Sequence, residues 1–260
     1  MNQTVTLTKP QEPWIGSRGR IGVIIPSTNI GVEYDCQRFI PDGVTWHFAR
    51  FFVEQIDLSS DDMFLAFIDA IRATIPHAMR DIMTAEVDYI MMGMSAETFW
   101  GGLEGNAEFT ARLREQIGPD MGVTTGANAI DAALKKFGAK RVAALTPYQP
   151  VGDEQVHRFF VESGYEVTKV IGLKCDTANS IAHTPQSQVL DVILNELDGE
   201  DVDAIVQAGT NLSNVDLFPT LEKQLGKPVI PINVATIWHA LRAIGVNDKF
   251  QGRGWLFERF

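Results

Sequence analysis

From Arg20 onward, short apolar runs alternate with amphipathic stretches, the rhythm of strands and helices taking turns along a parallel sheet. Ile21–Ile25 is the first apolar run, of the kind that forms a strand buried on both faces. Ile30–Phe39 then reads as helix and Thr45–Phe52 as a second strand. Between Asp61 and Met83 the apolar positions Met63, Phe64, Phe67, Ile68, Ile71 and Ile75 recur at helical spacing, with Pro76 as a point of bending. Val87–Met92 is expected as the third strand and Phe109–Ile117 as the next helix. The intervening Trp100-Gly101-Gly102 and Gly105 are too rich in glycine for a stable helix and read as a loop.

The second half repeats the rhythm. Helices are expected at Ala127–Phe137 (closed by Gly138), Asp153–Glu162, Gln188–Leu197, Val215–Leu225 and Ala235–Ile244. Strands are expected at Val142–Thr146, Glu166–Leu173, Ala204–Gln207 and Val229–Ile232.

The two halves also match in detail. Arg20–Asn29 and Arg141–Pro150 each run from a basic residue through a strand into a polar turn containing proline. Asp88–Glu97 and Asp203–Leu212 each run from an acidic residue through a strand into a polar turn containing glycine. Pro26 and Pro147 lie 121 positions apart, as do Gly43 and Gly164, and Gly93 and Gly209 lie 116 apart. A nearly constant offset over elements in the same order points to duplication. The expected fold is α/β: two pseudo-symmetric, flavodoxin-like lobes with parallel sheets and the active site between them. Lobe 1 spans 18–120, with 228–250 returning to it, lobe 2 spans 121–227, and 1–17 forms an N-terminal arm. Ligands of such sheets sit beyond the carboxyl ends of the strands, here the turns after Ile25, Met92, Leu145 and Gln207.

Composition narrows the function. A net charge of −11 with scattered basic residues argues against nucleic acid and anionic membrane as partners. No apolar run approaches a membrane span or a secretory signal, so the cytoplasm is the expected location. Two cysteines, Cys36 and Cys175, make no disulfide framework.

The strand-end turns carry the candidate chemistry. Ser27, Thr28 and Asn29 offer hydroxyls, an amide and backbone N–H groups at a helix start, a set suited to a carboxylate or to simple capping. Gly93, Met94 and Ser95 follow the third strand. Glu97 stands near the positive end of a helix dipole, either as a surface acid or as a general acid or base. Trp100 beside the cleft reads as a lid or as packing. Tyr148 offers a phenol, and Gly209, Thr210 and Asn211 add a hydroxyl and an amide. No GxGxxG, Walker-type loop, GxSxG, CxxC or metal-spaced histidine set is present. Chemistry without metal or nucleotide is therefore expected.

These four turns resemble the aspartate/glutamate racemase superfamily, in particular its maleate cis-trans isomerase and arylmalonate decarboxylase branch. The resemblance runs from about Arg20 to Gly245. It implies a cofactor-independent enzyme holding a small carboxylate substrate between two lobes, with Asn29, Tyr148, Thr210, Asn211 and Asn179 at substrate-contacting positions. It also implies one or two catalytic cysteines at the positions that Gly93 and Gly209 occupy in this chain. Without those thiols the expected reaction is a decarboxylase-type or other enolate or activated-water process, with Glu97 and Tyr148 as catalytic groups. A hydrolase or hydratase, or a protein that only binds carboxylates, is the alternative. Cys175 is the candidate displaced thiol and Cys36 a weaker one. A homodimer fits both the resemblance and the apolar C-terminal Trp255, Phe257 and Phe260.

Overall fold

Two four-stranded parallel sheets, joined in series, carry the chain in a computed structural model that describes residues 14–118 and 120–260. Along the first lobe run β1 (Gly19–Pro26), α1 (Gly31–Cys36), β2 (Val44–Phe51), α2 (Asp61–Met83), β3 (Tyr89–Met92), α3 (Ala96–Phe99), α4 (Gly102–Ile117), β4 (Val123–Thr124) and α5 (Gly126–Phe137). The second contains β5 (Arg141–Thr146), α6 (Pro150–Glu162), β6 (Glu166–Gly172), α7 (Ala178–Ala182), α8 (Gln186–Val192, continued by a π-helical turn Ile193–Leu197), β7 (Ala204–Gln207), α9 (Phe218–Leu225) and β8 (Val229–Pro231). Helices α10 (Ile232–Ala243) and α11 (Trp255–Arg259) close the chain.

The strand orders are β2-β1-β3-β4 and β6-β5-β7-β8, the same winding twice. The repeated basic and acidic residues at the strand starts have a common role. Arg20 donates through its backbone N–H and its guanidinium to Asp88, and Arg141 does the same to Asp203. Each fork ties the first strand of its lobe to the third, fixing register at the end opposite the polar turns.

The lobes are not separate bodies. One apolar core runs from Ile21, Ile24 and Met91 through Phe99, Phe159 and Val206 to Ile230 and Trp238. Strand β8 belongs to the second sheet, whereas α10 packs on β3, β4 and α5 of the first lobe. The crossing at Pro231 thus stitches the two halves together.

Three expectations need correction. The stretch after Trp100 is helical from Gly102: Gly101 takes a left-handed φ of 76° that starts the helix, and a Cβ on Gly105 would fall 2.0 Å from the Trp100 carbonyl oxygen. The glycines there permit a close approach and do not loosen the chain. The helix expected from Val215 begins at Phe218, with Pro219 in its first turn, where a missing N–H costs nothing. Residues 121–137, expected in lobe 2, run with the first lobe, since β4 pairs with β3 and α5 follows it. At the C-terminus the Phe257 ring stacks on Phe39 at 4.5 Å, and Phe260 meets Phe137 edge-on at 5.2 Å. Of the N-terminal arm, residues 1–13 lie outside the described residues.

Candidate active site between the lobes

Four strand ends converge. The turns after β1, β3, β5 and β7 meet over a cavity of about 60 Å³, closed on its far side by the start of α2 and by α7. Thr28, Asn29, Met94, Ser95, Tyr148, Thr210 and Asn211, all expected from the sequence, line it. Leu58, Phe64, Phe67 and Ile181 add an apolar wall that the sequence reading missed, because Phe64 and Phe67 fit the ordinary core spacing of an amphipathic helix.

The polar groups hold one another in place. Asn29 caps α1, its Oδ1 accepting from the Val32 N–H at 3.0 Å, while its Nδ2 donates to Thr210 Oγ1 at 3.3 Å. Asn211 accepts from the N–H groups of Ile30 and Gly31 and donates to the Ala178 carbonyl at 2.9 Å. The Asn29–Thr210 bond and the contacts of Asn211 with Ile30 and Gly31 cross between lobes, so each lobe's turn is positioned by the other. The backbone N–H groups of Thr28, Ser95, Ala96 and Asn211 find no acceptor among the described residues, which leaves donors for an incoming oxyanion.

Tyr148 stands at the centre. Its hydroxyl lies 2.9 Å from the Ala208 carbonyl oxygen and 2.5 Å from Ser95 Oγ. A phenol has one proton, so the Tyr148 hydroxyl donates to the Ala208 carbonyl or to Ser95 Oγ, one at a time. Ser95 in turn accepts from the Thr210 N–H at 3.2 Å. Burial pushes the Tyr148 phenol up, well past its ordinary value, so it stays protonated at neutral pH and serves as a donor, not as a base.

Behind this layer lies a buried carboxylate absent from the sequence reading. Asp35 on α1 accepts from Ser213 Oγ at 2.5 Å and from Asn233 Nδ2 at 2.7 Å. Asn233 also donates to the Thr210 carbonyl at 2.8 Å, so the turn bearing Thr210 and Asn211 is held from three elements. Burial raises the Asp35 carboxyl to about 7 against the pull of these donors. No local signal marks Asp35, since its partners lie some two hundred positions away.

Several expected residues do not reach the cavity. Glu97 points away from it: Ser95 and Glu97 are two positions apart, ~200° around a helix axis. Its Oε1 accepts from Arg72 Nε at 2.7 Å and Arg112 Nη2 at 3.2 Å, in a different cavity. Trp100 also lines that second cavity, at the end of α3, and is no lid over the first. The Ser27 hydroxyl accepts from the Val53 N–H at 3.0 Å, bracing the chain after β2. Asn179 on α7 leaves the lining to Ala178 and Ile181. Gly93 and Gly209 sit behind the cavity wall. A Cβ on Gly93 would lie 2.6 Å from Ile25 Cγ2 and 3.0 Å from Val32 Cγ1, and one on Gly209 would lie 2.7 Å from Pro147 Cδ. The space a side chain would need there is filled by neighbours.

The thiols stand aside as well. Cys36 is fully buried in the core, and burial drives its thiol well above the ordinary range. Cys175 contacts Thr184 Oγ1 at 3.8 Å, does not line the cavity, and is also pushed up by burial. No group of histidine, cysteine and carboxylate side chains suited to a metal occurs among the described residues.

A duplicated, doubly wound α/β chain with a polar cavity at its interlobe turns defines the structural class. The arylmalonate decarboxylase family model matches residues 21–257, and the chain belongs to that family. It is 27% identical over 242 residues to the arylmalonate decarboxylase of Bordetella bronchiseptica, covering 92% of this chain and 96% of the relative. It is likewise 27% identical over 247 residues to the maleate isomerase of Pseudomonas putida, covering 90% of this chain and 95% of that one. Among solved structures, the maleate cis-trans isomerase of Nocardia farcinica bound to TRIS superposes with a TM-score of 0.82 at 24% identity, covering 93% of this chain and 98% of that one. This last likeness is one of fold.

Proposed function

We propose that this chain is a cofactor-independent enzyme that acts on a small carboxylate bearing an apolar arm, by a decarboxylase-type reaction that uses no thiol. The observation that carries the proposal is the lining of the interlobe cavity, where hydroxyl, amide and N–H donors face an apolar wall and Tyr148 is the only ionisable side chain among the described residues that line it. One carboxylate of a substituted malonate is held by the free N–H groups of Thr28, Ser95, Ala96 and Asn211, with Asn29 and Thr210 beside it. The second lies against Leu58, Phe64 and Phe67, where an unpaired charge is costly. Breaking its C–C bond releases neutral CO2 and leaves the electron pair on the remaining carboxylate as an enediolate. Donors already in place stabilise that developing charge without reorganising. The carbon then takes a proton from the Tyr148 hydroxyl, and the phenol is refilled from water through Ser95.

The cavity's small volume favours a compact acid over a nucleotide-sized ligand. The maleate isomerase relatives keep an isomerase within the family's range, but the packed positions of Gly93 and Gly209 favour the reaction that needs no nucleophile. The test is turnover of methyl-, isobutyl- and phenylmalonate by wild type and Tyr148→Phe. Release of CO2 by wild type and its loss in the variant is the expected result. Equal rates in both would remove Tyr148 from the chemistry.

A further inference from the structure

Helix α1 carries two acids with opposite fates. Glu33 pairs with Arg50 at the surface, whereas Asp35 turns inward and is 1% exposed. Neither Asp35 oxygen meets a lysine or arginine among the described residues: Oδ1 accepts from Ser213 and Oδ2 from Asn233, both neutral. The carboxyl thus lacks the opposite charge that usually accompanies a buried ion. Its neutral form fits the same frame, because a proton on Oδ1 is donated to Ser213 Oγ while Oδ2 still accepts from Asn233. Two charge states therefore share one geometry.

This carboxyl lies directly behind a wall of the interlobe cavity. The Asn233 amide nitrogen uses its two hydrogens to join Asp35 Oδ2, at 2.7 Å, to the Thr210 carbonyl oxygen, at 2.8 Å. A Cβ on Gly31, at the start of α1, would fall 2.9 Å from that same oxygen, so helix and turn are in contact. On its other side the turn presents Thr210 and Asn211 to the cavity. One amide and the width of one turn separate Asp35 from anything bound there.

The other charged groups around Asp35 are engaged elsewhere. Arg38 draws the Asp35 carboxyl down but is bonded to Asp216, which opposes that pull and also binds Arg253. The Tyr34 hydroxyl donates to Asp216, and burial raises the Cys36 thiol. On α10, which packs on α1, His239 is bonded to Thr124 and Arg242 to the carbonyls of Val246, Asp248 and Phe260.

A carboxylate in the cavity and an ionised Asp35 repel each other across this turn. At an effective dielectric of ~20, unit charges ~8 Å apart change one another's equilibria ~30-fold. Resting on the reading of the cavity as a carboxylate site, we infer that Asp35 is a positioning residue whose charge is coupled to the ligand's: a carboxylate enters the interlobe cavity together with a proton on Asp35. The proton comes from solvent and offsets the ligand's charge, which the cavity lining does with neutral donors alone. Affinity is full where Asp35 is already protonated in the free protein. It falls as pH rises through about 7, where Asp35 ionises.

The probe is 4-methylpentanoate, the product expected from isobutylmalonate, titrated into the full chain by calorimetry. Running the titration at pH 7 in PIPES and in imidazole, buffers with different heats of ionisation, counts the protons taken up. Wild type is expected to take up roughly half a proton per ligand at pH 7, and to lose about 10-fold or more in affinity between pH 6 and 8.5. Asp35→Asn is expected to take up none and to hold its affinity within about 2-fold across that range. Ser213→Ala removes a donor to the ionised carboxyl, so it is expected to move the midpoint of the affinity loss to higher pH. Binding to wild type without proton uptake overturns the coupling alone and leaves the carboxylate site standing, whether or not either variant folds. Uptake that persists in Asp35→Asn, or an unmoved midpoint in Ser213→Ala, also overturns it by giving the proton to another group. No binding of 4-methylpentanoate at any pH overturns both the coupling and the carboxylate site. None of these readouts requires turnover, so the result stands apart from the proposed reaction.

Discussion

Adding one methyl group at Gly93 tests whether the packing behind the cavity excludes a side chain. The Cβ of Gly93→Ala would lie 2.6 Å from Ile25 Cγ2, about 1 Å inside the ordinary carbon–carbon separation. Neither side can yield easily: Ile25 is fully buried on the central strand β1, and its Cγ2 is fixed to the β-carbon, not the end of a flexible chain. Val32 Cγ1 at 3.0 Å closes the other side. Overpacking of this kind costs about 1–3 kcal/mol, and Gly93→Cys should cost at least as much because sulfur extends the same clash. The assay is urea unfolding followed by tryptophan fluorescence. A double-mutant cycle with Ile25→Ala isolates the contact: the clash is absent in the double variant, so the combined loss should fall short of the sum by about 1 kcal/mol or more. A Gly93→Ala protein within about 0.5 kcal/mol of wild type, with additive losses, would refute the reasoning and reopen this position to a side chain.

Other outcomes follow from the same geometry. Tyr148→Phe strands Ser95 Oγ and the Ala208 carbonyl, so it should cost about 1–3 kcal/mol of stability, read by the same unfolding assay, and lower kcat about 10²–10³-fold. Asn29→Ala should raise KM more than it lowers kcat, since Asn29 shapes the binding turn without meeting the reacting carbon. Asp35 makes stability depend on pH. Its carboxyl rises from 3.8 to about 7 in the fold, so the folded protein binds the extra proton between these values. Stability is therefore greatest below about pH 4 as far as this group is concerned, and it falls as pH rises to about 7. The loss is at most about 4 kcal/mol at ~1.4 kcal/mol per pH unit. Asp35→Asn should flatten that fall in urea midpoints measured from pH 4 to 8, because an amide satisfies both Ser213 and Asn233 without titrating. The buried Glu222, also raised to about 7, supplies a residual slope of the same sign.

The doubled strand-and-turn pattern made the architecture legible, because buried parallel strands are short apolar runs and their polar ends stand out against them. For the same reason, Asn29, Ser95, Tyr148, Thr210 and Asn211 could be picked from four turns and prove to share one cavity. The direction of a side chain was less legible. Glu97 looked equivalent to Ser95 in the sequence, yet a helical turn sends it to the opposite face, where two arginines from α2 and α4 hold it. Glycines were ambiguous too: those at 101, 102 and 105 read as flexibility but serve a close helix–chain approach. The apolar wall from Phe64 and Phe67 was hidden because a helix face over a cavity and a helix face over a core have the same periodicity. Asp35 was hidden because its role depends on two residues in the distant second half of the chain.

The most direct measurement is proton NMR of a substituted malonate, isobutylmalonate first, with the metal- and nucleotide-free protein in D2O, comparing wild type with Cys175→Ala and with iodoacetamide-treated protein. The account predicts loss of CO2, one deuterium delivered to the α-carbon, and equal rates in all three samples. Turnover that disappears with Cys175→Ala or iodoacetamide would contradict it by making a thiol the catalytic group, and a panel of small carboxylates left wholly unconsumed would contradict the assignment of an enzyme.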